Sequence, residues 1–465
     1  MDNVISKSIV RITLSIFLRV LSFLIFFICY LLTSIQAQSL ENSISLQEAW
    51  DIALEKNLTL RQVDKTLKQA EEEIKIERTN YYPTLNGSGS FYYVGNLDIP
   101  IDNQKIGIQN SGSFLGNPEN VNFTVFNLTI HQPIFTGFRT RNLVKAAEAQ
   151  RDASAANKAI TKNLLLLQIG QLYYQIQSSL IQQQVVLRSI DRANNQLNKI
   201  RNLYMVNQAI EFDTLEVSNR KLQLQIELKN LENHNRIFLS KFGYLLKLDT
   251  PVSIQTLSTK KSSLKLHDLL TYQNQAIEKR PELGQLASLR SGAEYQGKAL
   301  KSNLYPQLYA SLGQYFLRPA GFIFKDEWTD FFLIGVNLKW DIWNWGRHSK
   351  KANQARFQYE KIELQLKEKK DEILQQIKET YLNLKNINEK ILLQRKLVEQ
   401  EKIRFQITEE NFLQEQSTSL DLKDAEIGLT EAELILEKYY TDWRQSLLQM
   451  EYYTGKIGQQ TFEGI

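Results

Sequence analysis

The chain states one plan twice, and that duplication limits what it can fold into. Ala53-Leu54-Glu55-Lys56-Asn57 precedes Pro83 in Tyr81-Tyr82-Pro83-Thr84-Leu85. Ala276-Ile277-Glu278-Lys279-Arg280 precedes Pro306 in Leu304-Tyr305-Pro306-Gln307-Leu308 by the same interval, so the offset is 223 at both places. Further on, Ile134-Phe135-Thr136-Gly137-Phe138-Arg139 matches Ile342-Trp343-Asn344-Trp345-Gly346-Arg347 at an offset of 208. The same 208 relates Tyr204 to Phe412, Gln208 to Gln416 and Asp213 to Asp421. The offset falls from 223 to 208 between Pro83 and Ile134, so the first unit is longer there, which a loop absorbs. A repeat at this scale means two like structural units packed together.

Each unit reads as helix, strand, loop, strand, long helix, turn, helix. The opening helices are expected over about 46–80 and 266–303. The second strand of the second unit is clear: Phe332, Ile334, Val336, Leu338, Trp340 and Ile342 alternate with Asn337, Lys339 and Asp341, the period of two of a strand with unlike faces. Phe126, Leu128 and Ile130 against Asn127, Thr129 and His131 are the weaker counterpart, and the opposing strands are expected to begin at Leu85 and Leu308. Residues 95–120 and 318–330 read as loops, the first rich in Gly, Asn, Ser and Pro.

The long helices carry the clearest periodicity. Ile377, Leu384, Ile391, Val398, Phe405 and Phe412 recur at every seventh position. In the last helix Leu422, Leu429, Leu436, Trp443 and Met450 form one track, and Leu420, Ile427, Leu434 and Leu448 form another. Two tracks mean neighbours on two sides, as in a ring or sheet of helices. No proline interrupts the chain between Pro133 and Pro251 or after Pro319.

The N-terminus has the pattern of a secretory signal. Lys7, Arg11 and Arg19 precede an uncharged run over 20–35, and Ala37 is a small residue suited to the position before a cut. The domain organisation expected is therefore a signal peptide at 1–37, a first unit at 38–255 and a second at 256–465. The single cysteine, Cys29, falls within the signal, which leaves a thiol-free mature chain. A formal charge of only +5 on 465 residues gives no reason to expect a nucleic-acid partner.

Two strands per unit make four per chain, too few to close a barrel. In lipid an open sheet edge leaves backbone groups without partners, so such a chain must associate. Two copies would give eight strands and a filled interior, and three would give twelve and room for a lumen. The first long helix, over about 139–206, would reach ~100 Å, far beyond a ~30 Å hydrocarbon core. It must project into an aqueous space. Phe135, Phe138, Trp340, Trp343 and Trp345 cluster where strands pass into helices, which suits either an interfacial aromatic girdle or a local hydrophobic core.

Over nearly all of its mature length the chain resembles the TolC-like outer-membrane efflux family. The residues that carry the resemblance are Leu46-Gln47-Glu48-Ala49-Trp50 with Ala53-Leu54 and Asn57, Arg280-Pro281-Glu282-Leu283, Tyr82-Pro83, Tyr305-Pro306 and Gln132-Pro133-Ile134-Phe135. Their order, spacing and duplication are specific together. The resemblance implies a mixed fold of long α-helical coiled-coil hairpins and a four-stranded contribution to a 12-stranded trimeric outer-membrane β-barrel. It implies a homotrimer in a Gram-negative outer membrane, a periplasmic adaptor and an inner-membrane transporter as partners, and no cofactor.

By the same resemblance the periplasmic pore gate falls at Phe412 through Ala425, with Asp421 and Asp424 as paired carboxylates at the constriction. Their i, i+3 spacing puts both on one helix face, and six from three chains would form a cation-attracting ring whose mutual repulsion raises some of their pKa values. Asp213, with Glu216 at the i+3 position, occupies the equivalent place in the first unit. The arginine and tyrosine that lock such a gate in the family are replaced here by Ser417 and Phe412, which points to closure by packing or to an open rest state. Glu426 lies off the pore face, so its substitution is expected to change cation selectivity and block little.

No catalytic chemistry is legible. His131, His234, His267 and His348 lack metal-ligand spacing, and there is no phosphate-binding Gly loop or nucleophile motif. The readings left open are an export channel for drugs or other small molecules, a conduit of the same fold for secreted protein or metal ions, and a secreted coiled-coil structural or adaptor protein.

Overall fold

The computed structural model describes residues 43–95, 120–248, 253–255, 266–318 and 327–459. The expected signal peptide and the tips of both expected loops lie outside the described residues. Strands β2 (Thr84–Gly95), β3 (Asn120–Phe135), β5 (Gln307–Arg318) and β6 (Thr329–Lys339) form one antiparallel sheet in the order β2-β3-β5-β6. Cross-strand register gives it two unlike faces. Leu85, Ile130, Leu312 and Ile334 make one row and are all exposed. The neighbouring row on the opposite face is Asn86, Thr129, Gly313 and Leu333. The apolar rows are the more exposed along β3 and β5, so they occupy the convex side.

Each strand passes into a helix, and the helices keep the strands' lateral order. Helix α2 (Leu58–Thr79) precedes β2, α3 (Arg139–Met205) follows β3, α6 (Pro281–Lys301) precedes β5, and α7 (Arg347–Leu413) follows β6. In this half α3 packs on α2 and α6, and α6 packs on α7. Small residues allow the close approach: a Cβ on Gly292 would meet Ala149 Cβ at 3.6 Å, and one on Gly297 would meet Ala355 Cβ at 3.5 Å. The joint between strand and helix needs two left-handed residues in succession, Gly137-Phe138 in one unit and Trp345-Gly346 in the other. Each copy supplies one glycine, at different places, for a turn that favours it.

Both α3 and α7 have 67 residues, a length of ~100 Å. Their far halves turn back through α4 (Glu211–Leu246) and α8 (Ser419–Tyr453). The two apolar tracks of α8 meet different neighbours. Leu422 and Leu429 pack with Phe405 of α7, whereas Leu434 and Leu448 pack against buried residues of α3 such as Ile190 and Ile169. The repeat is thus a feature of the fold, one hairpin per copy.

Midway along, short elements belt the bundle. These are α1 (Leu46–Lys56), α5 (Leu269–Lys279) and the parallel pair β1 (Ser43–Ile44) with β4 (Ser253–Ile254). Trp50 Nε1 donates to the Leu166 carbonyl at 2.9 Å, and Tyr173 and Gln177 donate to the Gln255 carbonyl at 3.2 and 2.9 Å. Ser45 and Glu48 form a capping box that starts α1.

The opening helices are not continuous over 46–80 and 266–303. Each is broken, at Asn57 and at Arg280, where the backbone is extended. Asn57 Oδ1 caps α2 by accepting from Leu60 N at 3.0 Å, and Pro281 opens α6 at its first position. A cap and an N-terminal proline override the apolar periodicity that runs through both breaks. Arg280 fixes the second break by pairing with Glu282 at 2.7 Å and lying over the Tyr452 ring at 5.0 Å. Strand β6 also stops at Lys339, short of Ile342, because the chain turns there: Ile342 N donates to the Trp340 carbonyl at 3.1 Å.

Near the end of α8, burial pushes the Glu451 carboxyl up to about 7. A carboxyl whose folded pKa is raised contributes most stability when protonated and loses it as pH rises from about 4.5 to 7. Folding stability is expected to fall over that window by up to about 3 kcal/mol per chain, and Glu451→Gln to reduce the dependence. Thermal unfolding of detergent-solubilised protein from pH 5 to pH 8 checks this.

Candidate functional site

The two hairpin ends lie together at the tip farthest from the sheet. Both turn through a left-handed residue, Asn207 and Glu415, and close with the same bond: Gln208 N to Leu203 O and Gln416 N to Asn411 O, each 2.8 Å. The first turns of α8 then present three faces. Leu422, Ala425 and Leu429 are buried with Phe405 toward α7. Ser419, Lys423 and Glu426 face α4 through bonds described below. Asp421 and Asp424 share the third face and are exposed.

Asp421 has a local duty as well. Its Oδ2 accepts from Thr418 N at 2.9 Å and Thr418 Oγ1 at 2.6 Å, which completes a capping box. Within one chain the Thr418 hydroxyl, and then its amide, hold the Asp421 carboxyl below the usual range. Asp213 caps α4 in the same manner, accepting from Ile210 N at 3.1 Å.

Three polar rungs join α4 to α8. Ser419 Oγ donates to Asp213 Oδ1 at 2.5 Å, Lys423 pairs with Glu216, and Arg220 Nε pairs with Glu426 Oε2 at 2.8 Å. The last rung enters a buried network on α3. Thr430 Oγ1 bonds both Glu426 at 2.6 Å and Ser189 at 2.6 Å, and Arg192 reaches Thr430 at 2.9 Å and Glu433 at 3.5 Å. Glu426 is 1% exposed. Glu426 thus lies off the face of Asp421 and Asp424, where its carboxylate compensates two largely buried arginines.

The site residues named from sequence thus divide. Asp213 and Glu216 contact α8, while Asp421 and Asp424 point away from α4. Phe412 is half-buried and packs against both the Phe405 and the Ile200 clusters, which wedges it between the hairpins. Ser417 donates to the Thr408 carbonyl at 3.1 Å and touches neither partner rung. Arg192, Arg220 and Lys423 were missed, as was the burial of Glu426 among them. Their signal was a polar stripe at i, i+3, i+7 on α4 and at i, i+4, i+7 on α8, with opposite charges, but each stripe alone resembles a solvated face.

At the other end, Phe135, Phe138, Trp340, Trp343 and Trp345 surround the strand–helix joint, and all five are exposed. Phe135 meets Phe138 edge-on at 5.4 Å, and Trp343 meets Trp345 at 5.7 Å. Among the described residues no helix is long and apolar enough to cross a membrane, and no acidic, His or Cys group could hold a metal ion.

A family model described as outer membrane efflux protein matches residues 49–234 and 273–456, one segment in each repeat. The chain belongs to the outer membrane efflux protein family. It is accordingly an outer-membrane channel protein and not an enzyme. A search among curated proteins returned no match. Solved structures share the fold. CusC superposes with a TM-score of 0.77 at 15% identity, over 90% of this chain and 92% of that one. VceC from Vibrio cholerae gives 0.72 at 14% identity over 88% and 96%, and the open state of MtrE from Neisseria gonorrhoeae gives 0.70 at 16% over 89% and 91%.

Replacing Glu426 by Ala leaves Arg192 and Arg220 without their buried carboxylate, a change that costs about 3–5 kcal/mol in comparable pairs. Hydrogen exchange should speed up in the first turns of α4 and α8, with Glu426→Gln affected less. Unchanged protection at the tip in Glu426→Ala would show that the network does not hold the hairpins together.

Proposed function

We propose that three copies of this chain form an outer-membrane export conduit that takes small molecules from an inner-membrane transporter through a periplasmic adaptor. The observation that carries this reading is the four-stranded sheet, whose outer strands β2 and β6 each have one unpaired edge. Three such sheets joined edge to edge make twelve strands, with the apolar convex face toward lipid and the polar face toward a lumen. The exposed aromatics at the strand–helix joint then fall at the periplasmic lipid interface, where amphipathic rings are favoured.

The lateral flanks of the helices support the same assembly. Helix α7 exposes Phe357, Leu364 and Leu393 on one side, and α4 exposes Leu222 and Ile226 on the other. Apolar stripes of this kind call for a partner helix. Asp421 and Asp424, exposed at the tip, would contribute six carboxylates to the narrow end of the tunnel and favour cations there. The polar rungs on α4 take the place of the arginine–tyrosine lock as the tie that restrains α8.

Cross-linking in native membranes is expected to end at three protomers, and a folded, inserted monomer would rule the assembly out. For the ring, Asp421→Asn with Asp424→Asn is the informative pair, because Asp421→Asn keeps a side-chain oxygen to accept from Thr418 while the charge is removed. In planar bilayers the double variant should lose cation selectivity and block by trivalent cations at unchanged trimer yield. Wild-type selectivity in that variant would remove the carboxylates from the constriction.

A further inference from the structure

The concave face of the sheet changes character along its length. Toward the helices it is mostly polar, with Asn86, Thr129, Ser311 and Asn337 beside Tyr309 and Leu333, as a water-filled lumen requires. From the row Ser88, Asn127, Tyr315 and Phe331 outward, the same face carries Tyr92, Phe123, Val125 and Leu317 beside Ser90 and Thr329, so aromatic rings accumulate there. Contact with lipid cannot account for these residues, because their register puts them opposite to the lipid-facing rows.

The rings are arranged as a surface. Tyr315 and Phe331 stack with centroids 5.2 Å apart and planes within 13°. Tyr315 folds over Gly313, where a Cβ would come within 2.7 Å of the ring and 3.2 Å of the Thr129 methyl. Gly313 thus lets the ring lie along the wall. Tyr92 and Phe123 are direct cross-strand partners on the same face. Among the described residues of this face the one lysine or carboxylate is Lys339, at the helix end of β6.

We propose that the outer half of the barrel lumen is a transit site for flat aromatic solutes, formed by Tyr92, Phe123, Tyr315 and Phe331 of each copy. This rests on the trimeric barrel proposed above and deepens it by naming a cargo class. Ring faces attract aromatic and cationic aromatic bodies, and the tyrosine hydroxyls supply polar contacts without a charge to desolvate. Among the described residues of this outer half a hydrated metal ion finds no anionic ligand. The geometry favours small amphiphiles with planar rings over hydrated metal ions.

The test is residence of single solutes in wild-type trimers reconstituted in planar bilayers, with ethidium or tetraethylammonium added on the barrel side. Ethidium should interrupt the current for resolvable times, and Tyr315→Thr with Phe331→Thr should shorten those times about fivefold, as expected for loss of stacking. Tetraethylammonium has no ring to stack and meets the aromatic faces through its charge alone, so its times should be shortened less than those of ethidium, and Thr129→Ser should leave both cations unchanged. Ethidium times that are unaltered in the double variant, or shortened equally for both cations, overturn the aromatic site while the conduit stands. Wild-type protein that forms no conducting pore overturns the barrel reading itself and this inference with it.

Discussion

The backbone hydrogen bonds along the outer edges of β2 and β6 govern the rest of the molecule. In water an unpaired strand edge is a liability, and in hydrocarbon each unsatisfied N–H or C=O costs several kcal/mol. Four strands with two open edges are stable in lipid only as part of a closed ring. Closure in turn sets the helices. Because each strand continues into a helix, the lateral order β2-β3-β5-β6 becomes the order α2-α3-α6-α7. A barrel at one end therefore imposes a ring of helices at the other, and the ~100 Å helices extend its bore through water.

Helices arranged side by side need contacts on two flanks, and the chain meets this with two devices. Near the barrel, small residues such as Ala149, Gly292, Gly297 and Ala355 let the helices approach closely. Farther out, large apolar residues in paired tracks take over, with Leu422 and Leu429 toward α7 and Leu448 toward α3. The belt of α1, α5 and the β1–β4 pair lies over the middle, and Trp50 and Gln255 tie it to α3.

At the tip the contact between α4 and α8 is polar. Burying charge there brings little net stability, since desolvation offsets much of the attraction. What it supplies is register. The second rung sets an acid on α4 against a base on α8, and the third reverses the order. A slip of one turn would bring Glu216 toward Glu426 or Arg220 toward Lys423, so like charges would meet. Helix α8 also carries Asp421 and Asp424, so the ladder that sets its height sets theirs.

The sequence by itself determined everything that follows from local periodicity. The repeat, the period-two strands and the heptads of α7 and α8 were all legible, because each is a pattern written along the chain itself. The need for association was legible too, since four strands cannot close. Only the tertiary structure decided which polar faces are solvated and which are paired. Glu426 and Asp424 are both acids in the same turns of α8, and nothing local marks one as buried against two arginines. Arg192 and Arg220 belong to the other repeat, on α3 and α4, far earlier in the chain. The breaks at Asn57 and Arg280 lie between these cases: their caps were visible, but the apolar pattern continued through them. A side chain's charge is written in the sequence, whereas its partner is chosen by the packing of distant helices.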